Sequence, residues 1–229
     1  MSRTADFPDG LPEGLTVRIN RRAKRISLRV NARGEAVLTL PDESLRAEGL
    51  RFAAQKRGWL EKHRQSQPEG VPFAIGSRIP VRGDAHEIVQ GRSARDPVTV
   101  ADGVIAVAGS PAATGRLVQG WLLREAARDF EDAIAHHAGE LDLPAPPFTL
   151  RDPKTRWGSC SSRKTLSLSW RLIMAPPEVL DYVAAHETAH LIEMNHSARF
   201  WALVKRLSPD FREHEAWLKQ NGRSLHRYG

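Results

Sequence analysis

The chain has 229 residues, 41% of them hydrophobic, with a formal net charge of +7. That is enough apolar material to build a real core, in one large domain or two small ones. No run approaches the roughly 18 apolar residues that a bilayer-spanning helix requires, and Met1 to Asp9 lacks a basic-then-apolar leader, so a soluble cytoplasmic protein with no membrane partner is expected. The single cysteine, Cys160, excludes an internal disulfide and fits a reducing compartment.

Residues 15–40 read as two strands joined through the turn signal Asn31-Ala32-Arg33-Gly34. Val17, Ile19, Ile26, Leu28 and Val30 alternate there with Arg18, Arg25 and Arg29, the pattern of a hairpin with one solvated face. Such a basic run also suits nucleic acid, but a solvated face is the commoner origin. From Asp42 to about Arg64 the pattern predicts one helix, capped by Asp42 or Ser44, with Leu45, Leu50, Phe52, Trp59 and Leu60 as its apolar surface. A polar, proline-containing loop from Gln65 to Pro72 leads to short strands near 79–81, 87–89, 98–100 and 104–107, and Asp102-Gly103 marks a tight hairpin between the last two. Residues 1–110 thus read as a β-rich module with one helix.

The remainder, 111–229, is helix-dominated. Leu117, Trp121, Leu122, Ala126, Phe130 and Ile134 recur at helical spacing from Pro111 to about Leu141. His136 and His137 lie near the end of that helix; adjacent residues point in different directions, so helix-end surface is expected rather than a shared ion. Phe148–Arg151 and Thr165–Leu168 read as strands flanking Arg156-Trp157-Gly158-Ser159-Cys160, where Cys160 is a small strand residue rather than a nucleophile. Two short helices, 197–207 and 209–220, should pack behind His196, with Phe200, Trp201, Leu203, Val204, Phe211 and Trp217 as core.

Between these elements stands His186-Glu187-Thr188-Ala189-His190, on a helix that starts at Pro176-Pro177-Glu178. Residues four apart stack on one helix face, so the imidazoles of His186 and His190 can meet one metal ion, expected to be Zn²⁺. Glu187 projects a step round the helix, where its carboxylate can take a proton from an activated water. For a third ligand His196 is favoured. It lies roughly 15 Å beyond His186 on an ideal helix, so the helix must stop first, and Met194-Asn195 is the expected place. Glu193, on an unbroken helix, and Glu213 or Glu215, on the next one, are the rivals; Glu193 can otherwise accept a histidine N–H.

Residues 151–221 resemble the YgjP-like metallopeptidases, related to the SprT and WLM zincins. The likeness rests on Lys154-Thr155-Arg156-Trp157-Gly158-Ser159-Cys160, on Leu166–Leu172, on Asp181-Tyr182-Val183 leading into the histidine helix, and on Asn195-His196-Ser197 with Phe200-Trp201. Ser169 and Thr188 depart from the residues usual in that family. The histidine spacing also equals that of metzincins, but Glu193 replaces their turn glycine and no methionine turn follows. The resemblance implies an α+β fold, with a zincin-like helical catalytic domain and a small sheet behind the β-rich module. It also implies a zinc metallopeptidase with His186, His190 and His196 as ligands and Glu187 as catalytic base.

In zincins a strand beside the metal helix commonly pairs with an extended peptide substrate, and Thr165–Ser169 is the candidate here. Arg156, Trp157, Ser169 and Tyr182 are candidates for binding substrate, and Arg156, Tyr182 and His214 for stabilising an oxyanion. Two other classes compete. Arg151, Lys154 and Arg156 near a metal would suit a phosphohydrolase acting on nucleotides, although no glycine-rich phosphate loop occurs. A binding module with zinc as a staple has no use for Glu187. A protease acting on DNA-associated proteins is a further variant of the leading reading.

Overall fold

The computed structural model describes residues 14–30, 35–65, 70–92 and 96–229. The turn expected at 31–34, most of the loop after Gln65 and the segment 1–9 lie outside them. The fold is α+β, and the chain divides into two compact units, Met1–Gly70 and Val71–Gly229. Among the described residues no helix is long and apolar enough to cross a membrane.

The first unit holds a three-stranded sheet of β1 (Thr16–Ile19), β2 (Ser27–Val30) and β3 (Ala36–Leu40) in the order β1-β3-β2. β3 pairs antiparallel with β2 and parallel with β1. Where two strands are expected there are three, because the chain turns after β1: the Asn20 side chain accepts from the Arg22 backbone N–H at 3.1 Å and the Ala23 N–H reaches the Asn20 carbonyl. The alternation holds except at Ile19, which is exposed: Arg18, Arg25 and Arg29 face out, and Val17, Ile26 and Leu28 pack on the core of Leu38, Leu40, Leu50 and Ala53. The single expected helix is two, α1 (Arg46–Gln55) and α2 (Arg57–Gln65), which meet at Lys56. Asp42 caps a 3-10 turn ahead of α1, its carboxylate accepting from Ser44 at 2.9 Å.

The second unit begins with the sheet β4 (Arg78–Val81), β5 (Asp84–Gln90), β6 (Val98–Ala101) and β7 (Val104–Val107), ordered β4-β5-β7-β6. Asp102 and Gly103, both at positive φ (49° and 74°), form the expected tight turn between β6 and β7. The sheet's Ile79, Val81, Ile88, Ile105 and Val107 share one core with Val118, Leu122 and Phe130 of α3 (Pro111–Glu140). That shared core is why the division falls at residue 70 and not at the 110 suggested by the pattern of elements. Arg82 strengthens the attachment: it donates to Asp129 at 2.6 and 2.8 Å and to Glu125 at 2.9 Å, both on α3.

A small sheet follows, β8 (Phe148–Arg151), β9 (Gly158–Cys160) and β10 (Leu166–Ser169), in the order β8-β10-β9. A 3-10 segment at Trp170–Met174 leads to α4 (Pro177–Ala189), then α5 (Ala198–Leu207) and α6 (Phe211–Asn221). Phe200, Val204 and Phe211 are core as expected, while Trp201, Leu203 and Trp217 pack half-buried against it. Among the described residues Arg171 is the one long cation buried in this core. Its guanidinium donates to both Asp152 oxygens, at 2.6 and 3.1 Å, and to the carbonyls of Leu225 and Tyr228. It thereby ties the C-terminal segment to Asp152, which follows β8, a role that nothing in the local sequence announces.

Candidate active site

α4 starts with Pro177 at its first turn, which costs no hydrogen bond there, and buries Val179, Leu180, Val183 and Ala184. The helix ends at Ala189 with His190 as its cap, earlier than the stop expected at Met194-Asn195. Two sets of hydrogen bonds, one local and one long-range, are the physical reason. The N–H groups of Leu191, Ile192 and Glu193 turn back onto Thr188 and Ala189, and Lys164 donates to the carbonyls of His190 (3.2 Å) and Leu191 (2.7 Å). Lys164 thus serves the helix-end carbonyls from a different strand connection, which sequence reading missed. The early stop gives the chain room to turn back and bring His196 to the helix.

The three imidazoles converge: one ring nitrogen from each of His186, His190 and His196 lies within 4.8 Å of the other two. The Nε2 atoms of His186 and His196 are 3.2 Å apart. Two ligands bound about 2.0–2.1 Å from one tetrahedral ion would stand about 3.3 Å apart, so the nitrogens fit a shared zinc. His190 Nδ1 lies 3.0 Å from the Glu193 carbonyl, which can only accept; Nδ1 therefore carries the proton and Nε2 keeps its lone pair. Glu193 contributes this backbone oxygen and is not in the cluster; nor are Glu213 and Glu215. Burial first, then His190 and His196, pulls the His186 pKa down to about 4, and burial pulls His190 down as well, so both rings are neutral at neutral pH. Phe200 underlies all three, stacked on His190 at 4.4 Å and edge-on to the others.

Glu187 is 5% exposed, and its Oε2 is buried with no hydrogen-bond partner among the described residues. Burial pushes its pKa up to about 7, against the pull of Arg156. A cavity of about 320 Å³ opens beside it, lined in part by Arg156, Trp157, Gly158, Tyr182, His186 and Glu187. Gly158 is needed here: a Cβ at that position would stand 2.5 Å from Glu187 Oε1. Burial, then Glu215 and Glu187, raises the Tyr182 hydroxyl to about 12, so it remains a donor.

Four expectations need correction. Thr165–Ser169 is not an edge, since β10 is the middle strand with β8 and β9 on either side. Among the described residues β9 pairs only with β10, so the open edge next to α4 is Gly158–Cys160. Ser169 does not line the cavity; it is wholly buried, and its N–H holds the Trp157 carbonyl at 2.8 Å. His214 also stays off the cavity wall, 6.4 Å from the Tyr182 ring. Finally, His136 and His137 are not both helix-end surface: His137 is 1% exposed, and the two rings with Glu140 form a second convergent group. Adjacent rings diverge at their Cα atoms, but residue 140 is i+4 to one and i+3 to the other, so both can lean toward it.

Behind the cavity, Trp157 stacks on His226 with centroids 5.2 Å apart. Burial, reinforced by Lys154 and Arg171 and opposed by Asp152, draws the His226 pKa from its usual 6.5 down to about 4. The neutral ring is therefore the form that the fold prefers. Its contribution is complete above pH 6.5 and is lost as pH falls from 6.5 toward 4, because the unfolded chain takes up a proton that the folded chain resists. Up to about 3 kcal/mol is at stake, less whatever water relieves at its open side. Urea unfolding of His226→Phe, which keeps the stack, should show a shallower loss of stability than the parent between pH 6.5 and 4; equal slopes would refute the assignment.

The chain matches the YgjP-like metallopeptidase domain across residues 24–221. Among curated proteins none matches. Solved structures similar to this chain include two metallopeptidase zymogens. The metallopeptidase zymogen abylysin of Pyrococcus abyssi is 25% identical, with a TM-score of 0.38, covering 41% of this chain and 96% of its own. The metallopeptidase zymogen jannalysin of Methanocaldococcus jannaschii is 22% identical, with a TM-score of 0.35, covering 40% and 95%. The match over residues 24–221 takes in both units of the chain, and on it this protein belongs to the YgjP-like metallopeptidase family.

Proposed function

We propose that this metallopeptidase is a zinc enzyme that holds its ion with His186, His190 and His196 and uses Glu187 as general base on peptide or protein substrates. One observation carries the reading: three imidazole nitrogens meet beside a buried carboxylate whose Oε2 has no partner among the described residues, at the open edge of a sheet. A bound Zn²⁺ supplies Lewis acidity, lowering the pKa of coordinated water and polarising a scissile carbonyl. Glu187 accepts the proton of the attacking water and returns it to the leaving amine. The Gly158–Cys160 edge pairs with the extended substrate backbone, which sets the scissile bond before Glu187. Tyr182 and Arg156, both on the cavity wall, are the donors for the developing oxyanion. Of Arg151, Lys154 and Arg156, only Arg156 lines the cavity; Lys219, also on its wall, is paired with Glu215 at 2.8 Å, and Lys154 with Asp152 at 3.4 Å. The lone cysteine fits action in the cytoplasm.

The test is incubation of zinc-loaded protein with casein and, separately, with a panel of nucleotides. Casein cleavage that a chelator abolishes and zinc restores is expected. Release of phosphate with casein intact would favour the phosphohydrolase instead, and silence on both with zinc retained would leave only a metal-stapled binding module.

A further inference from the structure

The second group, at the C-terminal end of α3, has the makings of a metal site of its own. One ligand atom from each of His136, His137 and Glu140 lies within 4.8 Å of the others. Glu140 Oε2 stands 3.7 Å from His137 Nδ1 and 3.9 Å from His136 Nε2. These spans exceed the separation of about 3.3 Å expected between ligands of one tetrahedral zinc by about half an ångström, which rotation of the exposed His136 and Glu140 side chains can close.

A second, independent observation singles out His137. Its side chain is 2% exposed, and its Nε2 lies 2.9 Å from Asp181 Oδ1, on α4. The carboxylate accepts there, so Nε2 carries the proton and Nδ1 presents a lone pair. That Nδ1 is buried and has no hydrogen-bond partner among the described residues, which is costly unless something occupies it. A carboxylate behind a histidine whose other nitrogen is turned toward a further donor, here Glu140, is the arrangement that orients and strengthens metal-ligating imidazoles. The nearby Arg206 donates to the Glu140 backbone carbonyl and not to its carboxylate.

We propose that His136 Nε2, His137 Nδ1 and the Glu140 carboxylate bind a second divalent ion of the zinc class, with Asp181 orienting His137. Two imidazoles and one carboxylate suit such an ion and leave a position for water. The ion would sit on α3 and, through His137 and Asp181, brace the helix that carries His186 and Glu187. This site requires nothing of the first one.

The full-length chain, stripped with chelator and titrated calorimetrically with Zn²⁺ alone, tests it. The parent should take up two equivalents. Glu140→Gln and His136→Ala alter exposed side chains and so spare the fold; each should take up one. His190→Ala should also take up one, and His190→Ala with Glu140→Gln none. Asp181→Asn should weaken the second equivalent about 10- to 100-fold and leave the first unchanged. Uptake by Glu140→Gln and His136→Ala equal to the parent's, in both stoichiometry and affinity, would overturn the proposal. Loss of an equivalent in Glu140→Gln but not in His190→Ala would uphold it while refuting the assignment of His190.

Discussion

Glu187→Gln should lower kcat/KM on a peptide substrate by about 10²- to 10⁴-fold, the range set by removing a positioned general base. Gln keeps the shape of Glu and loses only the capacity to take a proton, so zinc content and folding should match the parent. The side chain is buried beside the cavity and does not belong to the histidine cluster, so it is not needed to hold an ion. Metal analysis alongside kinetics makes the outcome unambiguous. Undiminished turnover by a zinc-replete Glu187→Gln protein would remove Glu187 from the chemistry. Loss of zinc in the same variant would make it a ligand instead.

Gly158→Ala should be nearly as damaging, through a single methyl group that touches no proposed ligand. The added carbon would lie 2.5 Å from Glu187 Oε1, 2.6 Å from its Cγ and 2.8 Å from its Cδ, distances that force the side chain to move. A displacement near 1 Å at a reacting group costs on the order of 10²-fold in rate. The expected loss is therefore about 10²-fold in kcat, with zinc content kept. Ser159→Ala on the same strand gives the control for merely disturbing β9. Activity in Gly158→Ala equal to that of Ser159→Ala would mean that Glu187 works from some other position.

Much of the local architecture was legible because it is written in short-range pattern. The turn at Asp102-Gly103, the long apolar periodicity of α3 and the proline start of α4 depend on backbone preferences of a few neighbouring residues, and each is found where expected. The His186–His190 pairing is of the same kind, since a helix brings residues four apart together whatever surrounds it. Where short-range pattern misled, a competing local bond was the cause. Asn20 split one strand into two, and adjacency at 136 and 137 hid their common reach toward Glu140.

Sequence by itself determined the family, the helix that carries the histidines, and Glu187 beside them, because spacing along one helix sets which side chains share a face. Tertiary structure alone decided which strand lies at the open edge, that Gly158 makes room for Glu187, and that Lys164 closes the helix early enough for His196 to return. It also decided that Arg171 anchors the C-terminal segment and that Asp181 stands behind His137. These depend on residues far apart in the chain meeting through packing and long-range hydrogen bonds. No local periodicity records such meetings.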